Sequence, residues 1–486
     1  VHALLVAADG TLWAGTSAGL VRSKQGHVER LTRADGLADE QVYALAAGRD
    51  GVLWVGTKDG FCRLEDGEFE CFRSRDGLSQ STVYTLCEDR EGSLWVGTKH
   101  GLNEFTDRRT IPFTTSEGLP SNNTGPVCED RDGGVWVGTL DAGLAHYDGR
   151  RFSTVTQAQG LPSNRVLALT SDRGPSLWVG TDRGLCRLES GRVAQTFTTR
   201  DGLPADTVRS ICRDAQGALW VGTSAGLAEL RDGRFVAPAG QPDSPPLSIQ
   251  ALVSCRWGLL AAAQGGKLYR CAERKLAAFA HPGLASQDID AFYNDAEGLL
   301  WIGTRGSGLL LFDGSKAFRF TVQDGLYDDD IFGIIADDRG DLWMACSKGI
   351  FSVHRAQLRE LAAGRIQTLM SSPFSPTDAL RTIECTEGVQ PGVWRMRDGR
   401  IWFSTIHGLI VIDPGHLRRS LPPTAVLVED MIVNGQSQGR QPAAALPPGQ
   451  NNIEFRYTAL SFVSAARIAF RYRLEGFDRD WIEAGA

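Results

Sequence analysis

Apolar and polar positions along this chain fall into short blocks, and the blocks come in groups of four. One such group reads "QVYALAAG", "VLWVGT", "FCRLE" and "EFECFR", separated by "RDG", "KDG" and "EDG" and followed by "RDGL". Blocks this short, rich in β-branched and aromatic residues and bounded by Asp-Gly turns, predict β-strands, here called A to D. Strand B does not alternate: Val52, Leu53, Trp54 and Val55 are apolar in a row. A strand apolar on both sides is one covered on both faces, so each small sheet is expected to lie between two others.

The group repeats. Its strand-B tryptophans are Trp13, Trp54, Trp95, Trp136, Trp178, Trp220, Trp301, Trp343 and Trp402, and the first five intervals are 41, 41, 41, 42 and 42. The gap of 81 after Trp220 holds a decayed copy, "GLLAAAQGGKL", with Ala261 at the tryptophan position; the last gap, 59, is one period plus an insertion. That makes ten repeats. A period of about 40–45 residues with four strands per unit predicts an all-β chain of β-propeller blades. The recurring "LWVGT" is therefore architecture. Its tryptophan fills the gap between sheets, and its glycine admits a close neighbour.

Composition removes some functions. The formal charge of -7 and pI near 5.7, without any Lys/Arg run, argue against a nucleic-acid partner. No apolar run reaches the roughly 18 residues of a membrane span. The chain begins at Val1 inside an apolar alternation, "VHALLVA", and is read as a piece of a longer protein. Its ten cysteines lack CxxC pairs, so no metal or cofactor is expected. Cys87, Cys128 and Cys212 share one repeat position and read as small buried fillers. Cys62 and Cys71 face each other across the "EDGE" turn. A disulfide is possible there in an oxidising compartment, but two thiols are preferred because the geometry is tight. The eight histidines are isolated, without a metalloprotease motif or nucleophile elbow, and no catalytic residue is assigned.

"RDGLSQSTVYTLCEDREGSLWVGTKHGL" and "RDGLPADTVRSICRDAQGALWVGTSAGL" resemble the propeller repeats of two-component regulator sensors, and the likeness runs through residues 1–413. "TDALRTIECTEGVQPGVWRMRDGRIWFSTIHGLIVIDP" is similar to that family's last-blade segment. "NNIEFRYTALSFVSAARIAFRYRLEGFDRDWIEAG" is similar to its Ig-like triple-tyrosine module, with Phe455, Tyr457, Phe470, Tyr472 and Trp481 alternating as buried strand residues do. The resemblance implies seven-bladed propellers. Residues 1–108 are then three blades of an upstream propeller, 109–421 a complete seven-bladed one, and 422–486 a truncated Ig-like connector. "RRTIPFTTS" is expected to supply the missing strand D of the last blade, as a clasp. A single ten-bladed ring is the alternative. The resemblance further implies a periplasmic sensor region of a hybrid histidine kinase or diguanylate cyclase receptor. It would bind an oligosaccharide, pair as a homodimer through the Ig-like module, and meet the membrane only through segments outside this chain. A protein-interaction scaffold, or a propeller glycan lyase or hydrolase, are the other readings.

If strand A runs beside the axis, the B–C turns and the D–A crossovers share one face, and variable loops on a rigid repeat are where binding resides. The B–C turns there bring His100, Asp141, Arg305 and His407. The insertion after Trp343 contributes a short helix, "HRAQLRELAAG", and a long crossover carrying Arg381, Glu384, Glu387 and Gln390, with Trp394 just beyond. Planar polar groups and an aromatic face suit sugar hydroxyls and C–H faces. Arg305, Arg381, Glu384, Glu387, Trp394 and His407 are the candidate ligand-binding set; a capping loop on the final blade is the competing account.

Overall fold

The computed structural model describes residues 1–48, 51–65, 67–89, 93–106, 110–171, 176–242, 246–284, 288–374, 383–415, 426–439, 452–459, 470–478 and 482–485. Each letter of the repeat has a local bond behind it. In "TTRDGL", the Thr198 N–H donates to Asp201 at 2.9 Å, Gly202 takes a left-handed φ of 95°, and the Leu203 N–H returns to the Thr198 carbonyl at 3.3 Å. This single turn buries Leu203 and starts the next strand A. Gly202 is required twice over, since a Cβ there would also lie 2.1 Å from the Phe235 carbonyl oxygen. The turn between strands A and B holds the tryptophan. Indole N–H groups of Trp95, Trp220, Trp301 and Trp343 donate to Asp89, Asp214, Asp295 and Asp337 at 2.8–3.1 Å. The threonine of "GT" closes the B–C turn: the Thr57, Thr181 and Thr223 hydroxyls donate to the carbonyls of Gly60, Gly184 and Gly226. The strand-B glycine makes room for the next blade. A Cβ on Gly180 would lie 2.6 Å from Val208 Cγ1. The expected close approach is therefore to a neighbour's valine.

The chain divides into two compact units, one of Val1–Arg108 with Arg418–Ala486 and one of Arg109–Leu417. Among the described residues the second contains seven four-stranded antiparallel sheets. Their inner strands are Thr124–Glu129, Val166–Ser171, Val208–Arg213, Ile249–Cys255, Ile289–Asn294, Ile331–Ala336 and Val393–Arg395. Each inner strand packs on the next, and the seventh packs back on the first, so the ring closes. Strand D of the last sheet is Thr110–Phe113, which pairs with Gly408–Ile412 in the register Thr110↔Ile412 to Phe113↔Leu409. That is the clasp read from "RRTIPFTTS". It sets Phe113 against Trp402 with ring centroids 5.2 Å apart.

The decayed repeat still folds as a blade, from Ile249–Cys255 to Lys275–Ala278. Ala261 is fully buried and pairs with Tyr269. An open groove of about 840 Å³ lies on the same blade, lined by Leu268, Tyr269 and Phe279. Trp257, from the A–B turn, packs on Phe312 of the next blade at 4.9 Å. The insertion forms a helix over Arg355–Ala362, as its sequence suggested, and buries Leu358.

Among the described residues, the Val1–Arg108 part of the first unit has two four-stranded sheets and a three-stranded one, Val83–Glu88, Ser93–Thr98 and Gly101–Thr106. Cys62 and Cys71 are opposite one another in the register predicted, with Leu64↔Phe69 and Glu65↔Glu68 beyond. They are bridged, with Cα atoms 4.0 Å apart. The preference for two thiols is thus corrected: the non-hydrogen-bonded pair brings the backbones close enough for the sulfurs to join. Among the repeat cysteines, Cys128 is buried and Cys212 nearly so, but Cys87 is exposed. Among the described residues no further blade of its unit packs on that face. Burial pushes the Cys212 thiol up to about 12, which makes it inert filler.

Beyond residue 425, Val426–Val433 pairs with Gln436–Ser437 and Ile453–Ala459, and Phe470–Tyr472 pairs with Ile482–Gly485. Tyr457 and Phe470 pack ring to ring at 4.8 Å. Phe455 and Tyr472 are about half exposed, at 47% and 50%, so the burial expected for the whole row is corrected for these two. Trp481 lies outside the described residues. No helix among the described residues is long and apolar enough to cross a membrane.

Candidate functional site

Inner strands of a propeller are edges, with one row of N–H and C=O groups facing the axis. In the complete ring most of them open with a β-bulge. The register shifts between Val166 and Ala168, Val208 and Ser210, Ile249 and Ala251, Ile289 and Ala291, and Ile331 and Gly333. The extra residues are Leu167, Arg209, Gln250, Asp290 and Phe332. Bulges re-aim side chains, and four of these five line one cavity of about 470 Å³. Leu140, Asp182 and Arg305 reach it from B–C turns, and Arg165 and Thr207 from the ends of D–A crossovers. The cavity thus lies where the two variable loop types meet.

Its remaining wall is Glu387, Gly388 and Val389, from the long crossover into the last blade. That segment enters the ring. The Gln390 N–H donates to the Leu167 carbonyl at 3.1 Å, and its own carbonyl accepts from Leu169 at 3.0 Å. The Pro391 carbonyl accepts from Val127 at 2.9 Å, and the Gln390 amide side chain bonds Leu252. One short stretch therefore satisfies the open edges of three other blades.

The electrostatics are those of a partly dry, mixed-charge site. Arg305 lies 3.2 Å from Asp290 and 3.1 Å from Glu387. Burial pushes the Asp290 carboxyl above its ordinary value even though Arg305 opposes the shift; its side chain is 4% exposed. Across the cavity, the Thr207 hydroxyl donates to the Asp182 carbonyl at 3.2 Å. Arg209 Nε and Asp182 Oδ1 are both buried and have no hydrogen-bond partner among the described residues. Buried polar atoms are normally paired, so these two stand out among the residues of the cavity wall.

Of the six residues singled out from sequence, the fold brings Arg305 and Glu387 together at this cavity. Glu384 is exposed nearby, its carbonyl accepting from Ile406 at 3.1 Å, and His407 is exposed in the adjoining turn. Trp394 does not line the cavity. It packs half-buried against the clusters around Trp402 and Leu169. Arg381 lies outside the described residues. Arg165, Asp182, Arg209, Gln250 and Asp290 were missed. A signal for three of them existed: the residue after the first apolar position of strand A changes chemistry from blade to blade, while its neighbours keep theirs.

Five stretches of the chain, residues 36–59, 77–100, 118–141, 202–225 and 283–306, match the two component regulator propeller family. Each begins at the turn glycine before strand A and ends in the B–C turn. Among solved structures, the fold is similar to the extracellular domain of BT3049 from B. thetaiotaomicron, described as a hybrid two component system. The TM-score is 0.70 at 20% identity, over 99% of this chain and 67% of that one. The extracellular domain of BT4673 from the same organism matches with a TM-score of 0.50 at 17% identity, over 99% and 68%. No curated protein matches the sequence.

Proposed function

From a chain that carries the repeats of the two component regulator propeller family, we propose the extracytoplasmic, ligand-sensing region of a membrane signalling receptor. A histidine kinase or a diguanylate cyclase is the output, and the periplasm is the compartment. The observation that carries the reading is the cavity of about 470 Å³ on the face where the B–C turns meet the D–A crossovers. Its size suits a small ligand, and its polar groups come from several blades at once. The ligand is an oligosaccharide, supported by the density of planar polar side chains around Arg305 and Glu387. An Ig-like connector beyond residue 421 pairs two copies, and ligand binding biases how those connectors pack. This chain acts as a binding region and not as an enzyme.

A thermal-shift and calorimetric screen of the purified chain against an oligosaccharide library tests this. A binder should raise the melting temperature, and Arg305→Ala should weaken it by about tenfold, the scale of a lost charged hydrogen bond. A screen in which saccharides leave the melting temperature unchanged, while a protein partner binds and needs Arg305, would replace sensing with scaffolding.

A further inference from the structure

Resting on that sensing reading, we infer that the ligand group entering the cavity is an uncharged, hydroxyl-bearing ring, read by Asp182 and Arg209. Charge comes first. Three guanidinium groups, of Arg165, Arg209 and Arg305, face three carboxylates, of Asp182, Asp290 and Glu387. Arg305 is already held between Asp290 and Glu387. A carboxylate or sulfate entering this site meets three anions at close range, and an ammonium meets three cations. An ion leaves water at a high cost unless a partner awaits it, and neither sign finds a surplus of the other here.

The unpaired atoms then select among neutral groups. Arg209 Nε is a donor and Asp182 Oδ1 an acceptor, both buried, and neither side chain makes an ion pair or a side-chain hydrogen bond within the described residues. A hydroxyl donates one hydrogen bond and accepts two, so neighbouring hydroxyls on one ring answer both atoms together. A carboxylate answers the arginine and repels the aspartate. A zwitterion answers both by charge, but its ammonium needs several acceptors, and Asp182 offers one buried oxygen without a partner. Thr207 and Gln250 extend the same mixture of donors and acceptors, and Leu140 and Leu167 give the C–H face of a ring an apolar wall.

Calorimetry on the full chain decides it, with neutral gluco-, manno-, galacto- and xylo-oligosaccharides, oligogalacturonates, sulfated disaccharides and free amino acids as probes. Asp182→Asn and Arg209→Met keep size and are checked for an unchanged melting temperature. The expected result is binding of a neutral oligosaccharide, weakened about ten- to hundredfold in each variant, as for a hydrogen bond to a charged group. An acidic saccharide or an amino acid that binds instead, and is lost in Arg209→Met, overturns the uncharged-ring inference while leaving sensing intact. A neutral saccharide whose affinity neither variant changes overturns the assignment of Asp182 and Arg209 alone. Silence from every probe class sinks the sensing reading, and this inference with it.

Discussion

Gln390 and Leu252 are 138 residues apart in sequence and bonded in both directions: the amide Nε2 donates to the Leu252 carbonyl at 2.6 Å, and Oε1 accepts its N–H at 3.3 Å. Leu252 belongs to the inner strand of the blade that lost its tryptophan. Its N–H and C=O face the axis, on the open edge of a four-stranded sheet. The last crossover satisfies them, and so ties the blade without a tryptophan to the closing one.

Gln390→Leu should therefore destabilise the ring by about 1–2 kcal/mol, since two strand groups lose their partners and water replaces them only in part. Urea unfolding measures it. The same variant should disturb the cavity wall at Glu387–Val389 and weaken any ligand bound there. A midpoint that stays put would mean that the Leu252 groups are equally well served by solvent.

Asp295 is the acceptor for three donors: the Trp301 indole at 3.1 Å and the N–H groups of Glu297 and Leu299 at 3.0 and 2.9 Å. Asp295→Ala leaves a fully buried indole N–H and a turn unsatisfied. A loss of about 2–4 kcal/mol is expected, from several unpaired donors in one place. Asp132→Ala, on an exposed turn in another blade, should stay within about 0.5 kcal/mol. Equal effects of the two would show that the repeated Asp–Trp bond contributes little.

Thiol counting on unreduced, denatured protein should give eight free thiols, the ten cysteines of the chain less Cys62 and Cys71. Closing a loop of nine residues' separation should stabilise the first unit by about 2.5 kcal/mol on the chain-entropy account. Ser replacements at both positions would measure it. Ten thiols would restore the unbridged reading.

Asp290 predicts a pH dependence of opposite sign to most carboxylates. Burial raises its folded-state value above the ordinary 3.8. The folded protein then holds the proton more tightly than the unfolded chain does, and stability from this group falls as pH rises from about 3.8 through the raised value. Comparing wild type with Asp290→Asn across that window isolates the term: the wild type should lose stability relative to the variant as pH rises. A flat difference would mean that Arg305 cancels the burial. Asp328 runs the other way. Burial is the largest influence and pulls upward, but the Ser347 hydroxyl and the Lys348 N–H hold its carboxyl low, so its contribution is lost on acidification.

What the sequence determined by itself was everything that recurs locally. The turn that buries Leu203, the Asp–Trp bond and the Thr–Gly closure each span only a few residues, so each copy of the repeat that forms them spells them out. The two-sided burial of strand B is equally legible, because apolar runs report it directly. Even the clasp at Thr110–Phe113 could be read, since one repeat lacked a strand and one strand lacked a repeat. The cavity is different in kind. Leu167, Arg209, Gln250 and Asp290 each come from a separate blade, and only closure of the ring brings the four bulges to one axis. Trp394 shows the limit from the other side. Its sequence neighbours made it look like a loop aromatic open to a ligand, but strand pairing sets it opposite Trp402, as Cys128 is opposite Trp136 and Cys212 opposite Trp220. That register is the filler position between sheets, and packing, not the residue's chemistry, decided where the ring went.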